Sequence, residues 1–312
     1  MKYSFTIVII AISLFLTTLA LKNRDDAKAS AMSLAGEWNF SLDEKDRGIA
    51  EEWYEKKLTQ RISLPGSLVE NNYGNAPDLT TPWVGIIFDS TWFNDPKFAK
   101  YRTQQNFKPP MWLTPVKYYR GAAWYQKEVT IPAEWKGKTL ELFLERCHWE
   151  TQVWVDDQQA GIQNSLGTPH VYDLTKTLTP GKHRISIRVN NDVIIDVGVN
   201  SHSISDHTQS NWNGIVGKIE LRALPAVRIN SMKIFPDIHK KTANVKIYTT
   251  NKTGKSWKGK LILSARSSDG KELPKVVRDY TIRNDNDSTT LSYEIGEAMK
   301  LWNEFNPVTY TM

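Results

Sequence analysis

Two series of short, alternating strand patterns run through most of the chain and predict an all-β fold. The first series lies in residues 36–223 and the second in residues 227–312. Turn residues separate neighbouring strands, and the sequence shows little helical periodicity. Strands at this close, turn-bounded spacing are typical of β-sandwiches and jelly rolls. We therefore predict two β-sandwich domains in succession.

The first series predicts seven strands from the alternation of apolar and polar residues. These strands are residues 36–42, 61–67, 124–131, 139–145, 151–155, 182–189 and 217–223. The pairs Pro65-Gly66, Asp156-Asp157 and Pro180-Gly181 mark turns between them. Residues 43–57 are charged and predict a short helix or a turn. Residues 71–117 have no clean period but are rich in aromatic residues, so we interpret them as an ordered loop on one rim of the domain.

The second series follows Leu224-Pro225-Ala226, which we interpret as a linker. Its predicted strands are residues 227–235, 243–249, 258–264, 276–282, 289–293 and 308–312. About 85 residues of short strands are typical of an immunoglobulin-like sandwich. The last predicted strand has only begun at Met312, so we expect this domain to be incomplete.

The N-terminal 31 residues predict a secretory signal peptide. Lys2 precedes an apolar run over residues 5–21, and small residues follow, with cleavage sites predicted after Ala20 and Ala31. The alternative is an uncleaved membrane anchor, because the run is close to the minimum length of a span. We expect a secreted or periplasmic protein with no stable membrane insertion after cleavage.

Charge and cysteine usage exclude some classes of function. The formal net charge is +6, but the lysines are spread along the chain and no nucleic-acid-binding motif occurs, so we predict no nucleic acid partner. Cys147 is the single cysteine, so no intrachain disulfide forms. Cys147 and His148 are neighbours on a predicted strand and point to opposite faces, which predicts a buried, inert thiol.

Three segments of the first series form a recognisable order of aromatic and glycine residues. They are residues 118–135, residues 153–157 leading to 169–175, and residues 212–221. Their order and spacing resemble the sugar-binding domain of glycoside hydrolase family 2, the family of β-galactosidase and β-glucuronidase-like enzymes. One departure is Asp156-Asp157, where the family has an Asn-Gly turn.

The second series ends with residues that resemble the end of the family's immunoglobulin-like domain, namely Leu301-Trp302, Asn306-Pro307 and Tyr310. The resemblance implies a galactose-binding-like jelly-roll domain at residues 32–224, followed by a truncated immunoglobulin-like sandwich at residues 227–312. It also implies a catalytic (β/α)₈ barrel beyond Met312, since such a barrel needs about 250 residues.

No catalytic residue is predicted in this chain. The family's retaining mechanism uses two glutamates whose carboxyl groups lie about 5–5.5 Å apart. The family's acid/base Glu follows an Asn, but Asn303-Glu304 sits within the end of the second sandwich. Glu145 and Glu150 are an odd number of positions apart near a strand end, so alternation along a strand would point their side chains to opposite faces. We also predict no cofactor and no metal, because His202 and His207 do not have a zinc-ligand spacing.

The polar loop at residues 190–214 is the first candidate for sugar contact, as the resemblance implies. Its amide, carboxylate, imidazole and indole groups provide hydrogen-bond donors, acceptors and a ring face for a sugar. The candidates are Asn191, Asp192, Asp206, His207, Asn211 and Trp212. The alternative is that these side chains cap turns and satisfy the backbone of the loop itself.

The loop at residues 71–117 is the second candidate, through Asp78, Trp83, Trp92 and Trp112. For the three tryptophans, packing within the loop is the alternative.

These observations predict the non-catalytic N-terminal portion of an exported family 2 glycosidase that acts on terminal β-glycosides. Such a chain would support substrate binding by a missing barrel and would be inactive alone. Two alternatives stay open, a stand-alone carbohydrate-binding module and a structural surface protein made of β-sandwiches.

Overall fold

The computed structural model describes residues 29–81, 90–109, 115–196, 198, 201, 211–283 and 285–312. Its regular structure is almost entirely β-strand, which confirms the all-β prediction. The chain divides into two compact units, Ser30–Ala223 and Leu224–Met312. Within the described ranges, no helix has the length and apolar character needed to cross a membrane.

The first unit is built from two antiparallel sheets. Its strands are β1 (Ser30–Ser33), β2 (Gly36–Asp43), β3 (Gln60–Leu64), β4 (Gly66–Ser67), β5 (Ala122–Ile131), β6 (Thr139–His148), β7 (Glu150–Val155), β8 (Gln158–Gln163), β9 (His170–Asp173), β10 (Gly181–Asn190) and β11 (Gly214–Leu224). One sheet has the order β1-β11-β6-β9, with β4 also on β11, and the other has the order β3-β2-β5-β10-β7-β8. All seven predicted strands are present; β1, β8 and β9 are additional.

The apolar core of the first unit lies between these sheets. Trp38 and Phe40 of β2, Tyr125 of β5, Leu142 of β6 and Ile187 of β10 are all fully buried within it. Each belongs to the inward-facing half of an alternating strand, which is why the period-2 pattern predicted the sheets.

An outer layer of turns covers the second face of the six-stranded sheet. Residues 44–58 form turns rather than a regular helix. One of their hydrogen bonds runs from the Trp53 N–H to the Gly48 carbonyl (2.8 Å). Tyr54, which belongs to these turns, stacks on Trp154 of β7 with ring centroids 5.3 Å apart. Trp124 packs against Trp154 at 4.9 Å. We call these three rings the aromatic layer; it explains why β5, β7 and β10 are buried on both faces.

The described part of the loop at residues 71–117 contains short helices that the sequence did not predict. They are an α-helix at Thr91–Asn94 and 3₁₀ helices at Pro96–Tyr101 and Gln104–Asn106. Helices of this length contain too few turns to produce a periodic pattern. Trp92 is buried among them, and its indole N–H donates to the Lys108 carbonyl over 3.2 Å. Trp92 therefore packs within its own loop.

The second unit has three small antiparallel sheets. Its strands are β12 (Val227–Asp237), β13 (Thr242–Asn251), β14 (Trp257–Leu263), β15 (Arg266–Ser267), β16 (Val276–Ile282), β17 (Asn286–Glu294) and β18 (Tyr310–Thr311). The sheets are β12-β13-β17, β14-β16 and β15-β18. The six predicted strands are present, and β15 is additional. Two further 3₁₀ helices, Ala133–Trp135 in the first unit and Gly296–Ala298 in the second, complete the regular structure of the described residues.

The core of the second unit is smaller and lies between the two larger sheets. Val245, Ile247, Leu263 and Tyr293 are its most buried members. By contrast, the edge strand β12 is exposed along most of its length.

Candidate functional site

Two of the predicted sugar contacts, Asn191 and Asn211, are buried and hydrogen-bond to each other across the ends of the polar loop. The Asn191 Nδ2 donates to Asn211 Oδ1 (3.2 Å), and the Asn211 Nδ2 donates to the Asn191 carbonyl (2.7 Å). Asn191 also accepts from the Gly121 N–H and donates to the Tyr119 carbonyl, both over 2.9 Å. Because buried amides in such a network are satisfied by protein groups, this geometry favours the alternative in which they build the loop.

Asn213, which the sequence analysis did not single out, joins three strands beside this pair. Its Nδ2 donates to the carbonyls of Gly121 and Val189, both over 3.0 Å. Its Oδ1 accepts from the Tyr125 hydroxyl over 2.8 Å, and the side chain is buried. The Trp-Asn-Gly run of the third recognised segment contained Asn213, so that segment carried a signal for a structural residue.

Asp192 lies next to this buried network and faces solvent. Its Oδ1 is 3.1 Å from the Nε of Arg120, and the two side chains are 51% and 38% exposed. The Asp192 N–H donates to the side-chain oxygen of Asn190 (3.0 Å), which fixes the backbone that carries the carboxylate. The pair therefore presents a fixed acceptor and a fixed donor at the rim of the sandwich. Arg120 was missed because it lies outside both predicted loops.

The Arg120–Asp192 pair lines a cavity of about 720 Å³. The loop at residues 71–117 forms the opposite wall. The structure therefore brings together the two loops that were predicted separately as candidates for sugar contact. Other polar residues that line it are Glu44, Asn75, Asp78, Thr80, Thr81 and Gln104. Carboxylate, amide, hydroxyl and guanidinium groups together can donate to and accept from the hydroxyls of a sugar.

Asp78 is held in place within this cavity wall by its own turn. Its Oδ1 accepts from the Thr80 hydroxyl (2.6 Å) and the Thr80 N–H (2.7 Å). These hydrogen bonds stabilise the ionised form and hold the pKa of Asp78 below its usual value. The cavity therefore keeps this negative charge at neutral pH.

Trp212 lies half-buried two residues before β11 and packs on His148. Their ring centroids are 5.0 Å apart, with an interplanar angle of 57°. Part of the indole stays accessible. The predicted contacts Asp206 and His207, together with Trp83 and Trp112, lie outside the described residues.

The carboxylates weighed as catalytic candidates have other surroundings. Glu145 accepts the Lys218 N–H over 2.7 Å, and Glu150 lies 3.7 Å from the guanidinium of Arg188. Glu304 is exposed in the loop before β18. In the described part of the chain, no cluster of three or more His, Cys, Asp or Glu residues could hold a metal ion.

Cys147 lies in the apolar core of the first unit, whereas the neighbouring His148 packs on the opposite side against Trp212. Burial raises the pKa of the Cys147 thiol well above its usual range. A buried, protonated thiol of this kind is a poor nucleophile.

The first unit contains a region that matches a known family of protein domains. Residues 84–225 match the family model described as "Glycosyl hydrolases family 2, sugar binding domain". The chain therefore carries a glycosyl hydrolases family 2 sugar-binding domain, as the resemblance predicted.

Curated relatives include a β-galactosidase of Pseudoalteromonas haloplanktis and a putative β-glucuronidase of Formosa agariphila. The first is 22% identical over 220 residues, which are 69% of this chain and 18% of the relative. The second is 25% identical over 196 residues, which are 62% of this chain and 23% of the relative. The chain thus spans about a fifth of the length of the curated relatives that it matches.

Solved structures show the same fold. A β-glucuronidase of Bacteroides uniformis superposes with a TM-score of 0.63 at 16% identity, over 91% of this chain and 30% of the other. The β-glucuronidase of Ruminococcus gnavus superposes with a TM-score of 0.57 at 16% identity, over 90% of this chain and 41% of the other.

Proposed function

We propose that this chain, which carries a family 2 sugar-binding domain, is the non-catalytic N-terminal portion of a glycosidase that acts on terminal β-glycosides. Two kinds of observation support the proposal. Relatives matched by the chain are named β-galactosidases and β-glucuronidases, and each is several times longer than the matched region. The three glutamates weighed as catalytic candidates, Glu145, Glu150 and Glu304, are engaged by neighbouring groups or exposed, so we assign the chemistry to a barrel domain outside this sequence.

The cavity lined by Arg120, Asp192 and Asp78 is the observation that supports a role in substrate binding. It lies where the polar loop after β10 meets the loop at residues 71–117. The guanidinium donates hydrogen bonds, and the carboxylates accept them from sugar hydroxyls. We infer that this rim holds part of the glycoside while the barrel cleaves it.

The test combines a binding and a turnover measurement on the chain alone. Titration calorimetry with a galactoside and a glucuronide should show weak, saturable binding of one of them. The double variant Arg120→Gln/Asp192→Asn should weaken that binding at least tenfold, since a single hydrogen bond to a charged group contributes about 1.5–3 kcal/mol. The matched control is Lys252→Gln/Asp285→Asn, which removes an exposed pair of 3.4 Å in the other unit.

Hydrolysis of aryl β-glycosides by the chain alone would overturn the non-catalytic assignment. Equal binding by both double variants would overturn the role of the cavity. Tight glycan binding without a partner would instead support a stand-alone carbohydrate-binding module.

We also propose that the protein is exported, on the strength of the apolar run in residues 5–21. Strand β1 begins at Ser30 and pairs with β11, with Ser30 opposite Ala223 and Ala31 opposite Arg222. Cleavage after Ala31 would remove half of this strand, whereas cleavage after Ala20 would leave it intact. Mass spectrometry of the exported protein should therefore find a mature N-terminus before Ser30; protein retained with residues 1–20 would favour the membrane-anchor alternative.

A further inference from the structure

The outer face of the sheet β12-β13-β17 is an ordered grid of side chains with no assigned role. The strands pair in register, so residues on this face fall into rows of three across the sheet. Alternate residues of a strand lie about 6.6 Å apart on one face. The three central rows, in strand order, are Ser231, Tyr248 and Ser288; Lys233, Lys246 and Thr290; and Phe235, Asn244 and Ser292.

Two lysines occupy the middle row side by side. Lys233 is paired directly with Lys246 across the strands. The Nζ atoms lie 5.7 and 5.2 Å from the ring centroid of Tyr248, so both ammonium groups are within cation–π range of the same ring. Neither lysine has an ion-pair partner among the described residues. Like charges placed directly opposite each other destabilise a sheet, and an anion bound beside both lysines would relieve this repulsion.

The neighbouring row, Phe235, Asn244 and Ser292, offers an apolar ring face and hydrogen-bonding groups that could bind a sugar ring next to an anion. Phe235 is 54% exposed, although it lies within a strand, and offers an apolar ring face. Asn244 and Ser292, in the same row, are exposed and provide an amide and a hydroxyl. No carboxylate falls within the three central rows of the described face.

The acidic residues of this face lie at its far end. Asp237 and Glu294 flank Thr242 next to the β12–β13 turn. Asp237 is four residues from Lys233, about 13 Å along the strand. Its carboxylate accepts the N–H groups of His239 and Lys240 over 3.1 and 3.0 Å, so it is engaged in the turn.

We propose that this face binds an extended polysaccharide that carries carboxylate or sulfate groups. The Lys233–Lys246 pair binds the anionic group, Phe235 packs on the apolar face of an adjacent ring, and the hydroxyl and amide side chains bind sugar hydroxyls. Tyr248 acts as a positioning residue for the two ammonium groups. A flat sheet face suits an extended chain better than a small molecule, which needs a concave site. This inference concerns the second unit and does not depend on the function proposed for the first.

The test is affinity gel electrophoresis of the full chain in gels that contain one polymer each. The polymers are polygalacturonate for carboxylates, dextran sulfate for sulfates, neutral dextran, and polyglutamate as an anion without sugar rings. We expect retardation by polygalacturonate or dextran sulfate, whichever group the site prefers, and none by neutral dextran. Lys233→Gln/Lys246→Gln should raise the dissociation constant about tenfold, as expected for the loss of two ion pairs near the surface.

Two matched controls separate this face from general surface charge. Lys255→Gln/Lys258→Gln removes the same charge from exposed residues outside the grid and should retain binding. Phe235→Ala should weaken saccharide binding, whereas Phe305→Ala, at an 84% exposed phenylalanine elsewhere in this unit, should not. Melting temperatures of all variants confirm that they fold.

Four results would overturn the proposal. They are no retardation by either anionic polysaccharide, an unchanged constant in the Lys233/Lys246 variant, an equal loss in the Lys255/Lys258 variant, and equal retardation by polyglutamate. The last result would identify an acidic polypeptide as the partner. Failure of glycoside binding at the Arg120–Asp192 cavity leaves this test unaffected, because the two sites carry different substitutions.

Discussion

Strands β10 and β12 have similar alternating sequences, but their polar side chains have opposite surroundings in the two units. Both are long strands with apolar residues in alternating order. In β10, Arg188 is 4% exposed because the outer layer covers it, and its guanidinium lies 2.6 Å from Asp46. In β12, Lys233 is exposed and lies opposite another lysine. What covers a sheet, and not the strand pattern itself, decides whether its polar residues become structural or accessible.

The largest expected effect is a loss of stability, measured for one buried leucine in each of the two cores. Leu142→Ala should cost about 4 kcal/mol, because Leu142 is fully enclosed between two wide sheets, whereas Leu263→Ala should cost nearer 2 kcal/mol in a core that can relax. Scanning calorimetry of each variant checks this, because a two-unit chain can unfold in two transitions. Equal losses would mean that the second core is packed as tightly as the first.

The next effect tests whether buried polar residues hold the first unit together. Asn213→Ala should cost about 3 kcal/mol, because it removes four side-chain hydrogen bonds in a buried network and leaves the Tyr125 hydroxyl without its Asn213 partner. Asn244→Ala, on the exposed face of the second unit, should change stability by less than about 0.5 kcal/mol. Urea titration measures both. A small loss for Asn213→Ala would indicate that water replaces its contacts.

Mild acid should act on the first unit through His170. Its Nε2 donates to the Ser165 carbonyl (2.9 Å) and its Nδ1 faces the Thr151 hydroxyl (2.6 Å), which is the pattern of a neutral imidazole. Burial lowers the pKa of His170, so the unfolded chain binds the proton more tightly than the folded one. Stability should therefore be unaffected above about pH 6.5 and should fall as the pH drops below that value.

His170→Gln removes the titrating group and should flatten this part of the stability profile. His239→Gln, at an exposed histidine of the second unit, is the control and should leave the profile unchanged. Thermal melts at half-unit steps of pH measure both. A steep fall that persists in His170→Gln would assign the acid response to another group.

The smallest effect concerns stronger acid and the second unit. The Lys300 ammonium, 2.6 Å from Asp269, and the Ser267 hydroxyl lower the pKa of Asp269 to about 2. Its contribution should be complete above the unfolded pKa of about 4 and should be lost as the pH falls from about 4 to about 2. Asp269→Asn should lower the melting temperature slightly at pH 7 and remove this acid step; Asp285→Asn, in a looser pair, is the control. An unchanged acid step would exclude Asp269 as its source.

The sequence predicted the strands well because alternation is a local signal that each strand carries by itself. It missed β8, whose residues show no clear alternation of burial, and β9, which has only four residues and buries His170 and Tyr172 while Val171 is exposed. It also missed the short helices of the loop at residues 71–117. For the candidate site, composition identified the polar loop but not the direction of its side chains. Asn191 and Asp192 are neighbours, yet one is buried and the other half-exposed, because the direction depends on Gly121 and Asn211, which are distant in sequence.

The aromatic layer of the first unit has an optical consequence. Trp124 and Trp154 are shielded from water, whereas Trp257 and Trp302 of the second unit are 37% and 63% exposed. Indole emission shifts to the red on hydration, so loss of the first unit's structure should produce a large spectral change and loss of the second a small one. Fluorescence paired with circular dichroism can therefore assign each melting step to its unit without any added label.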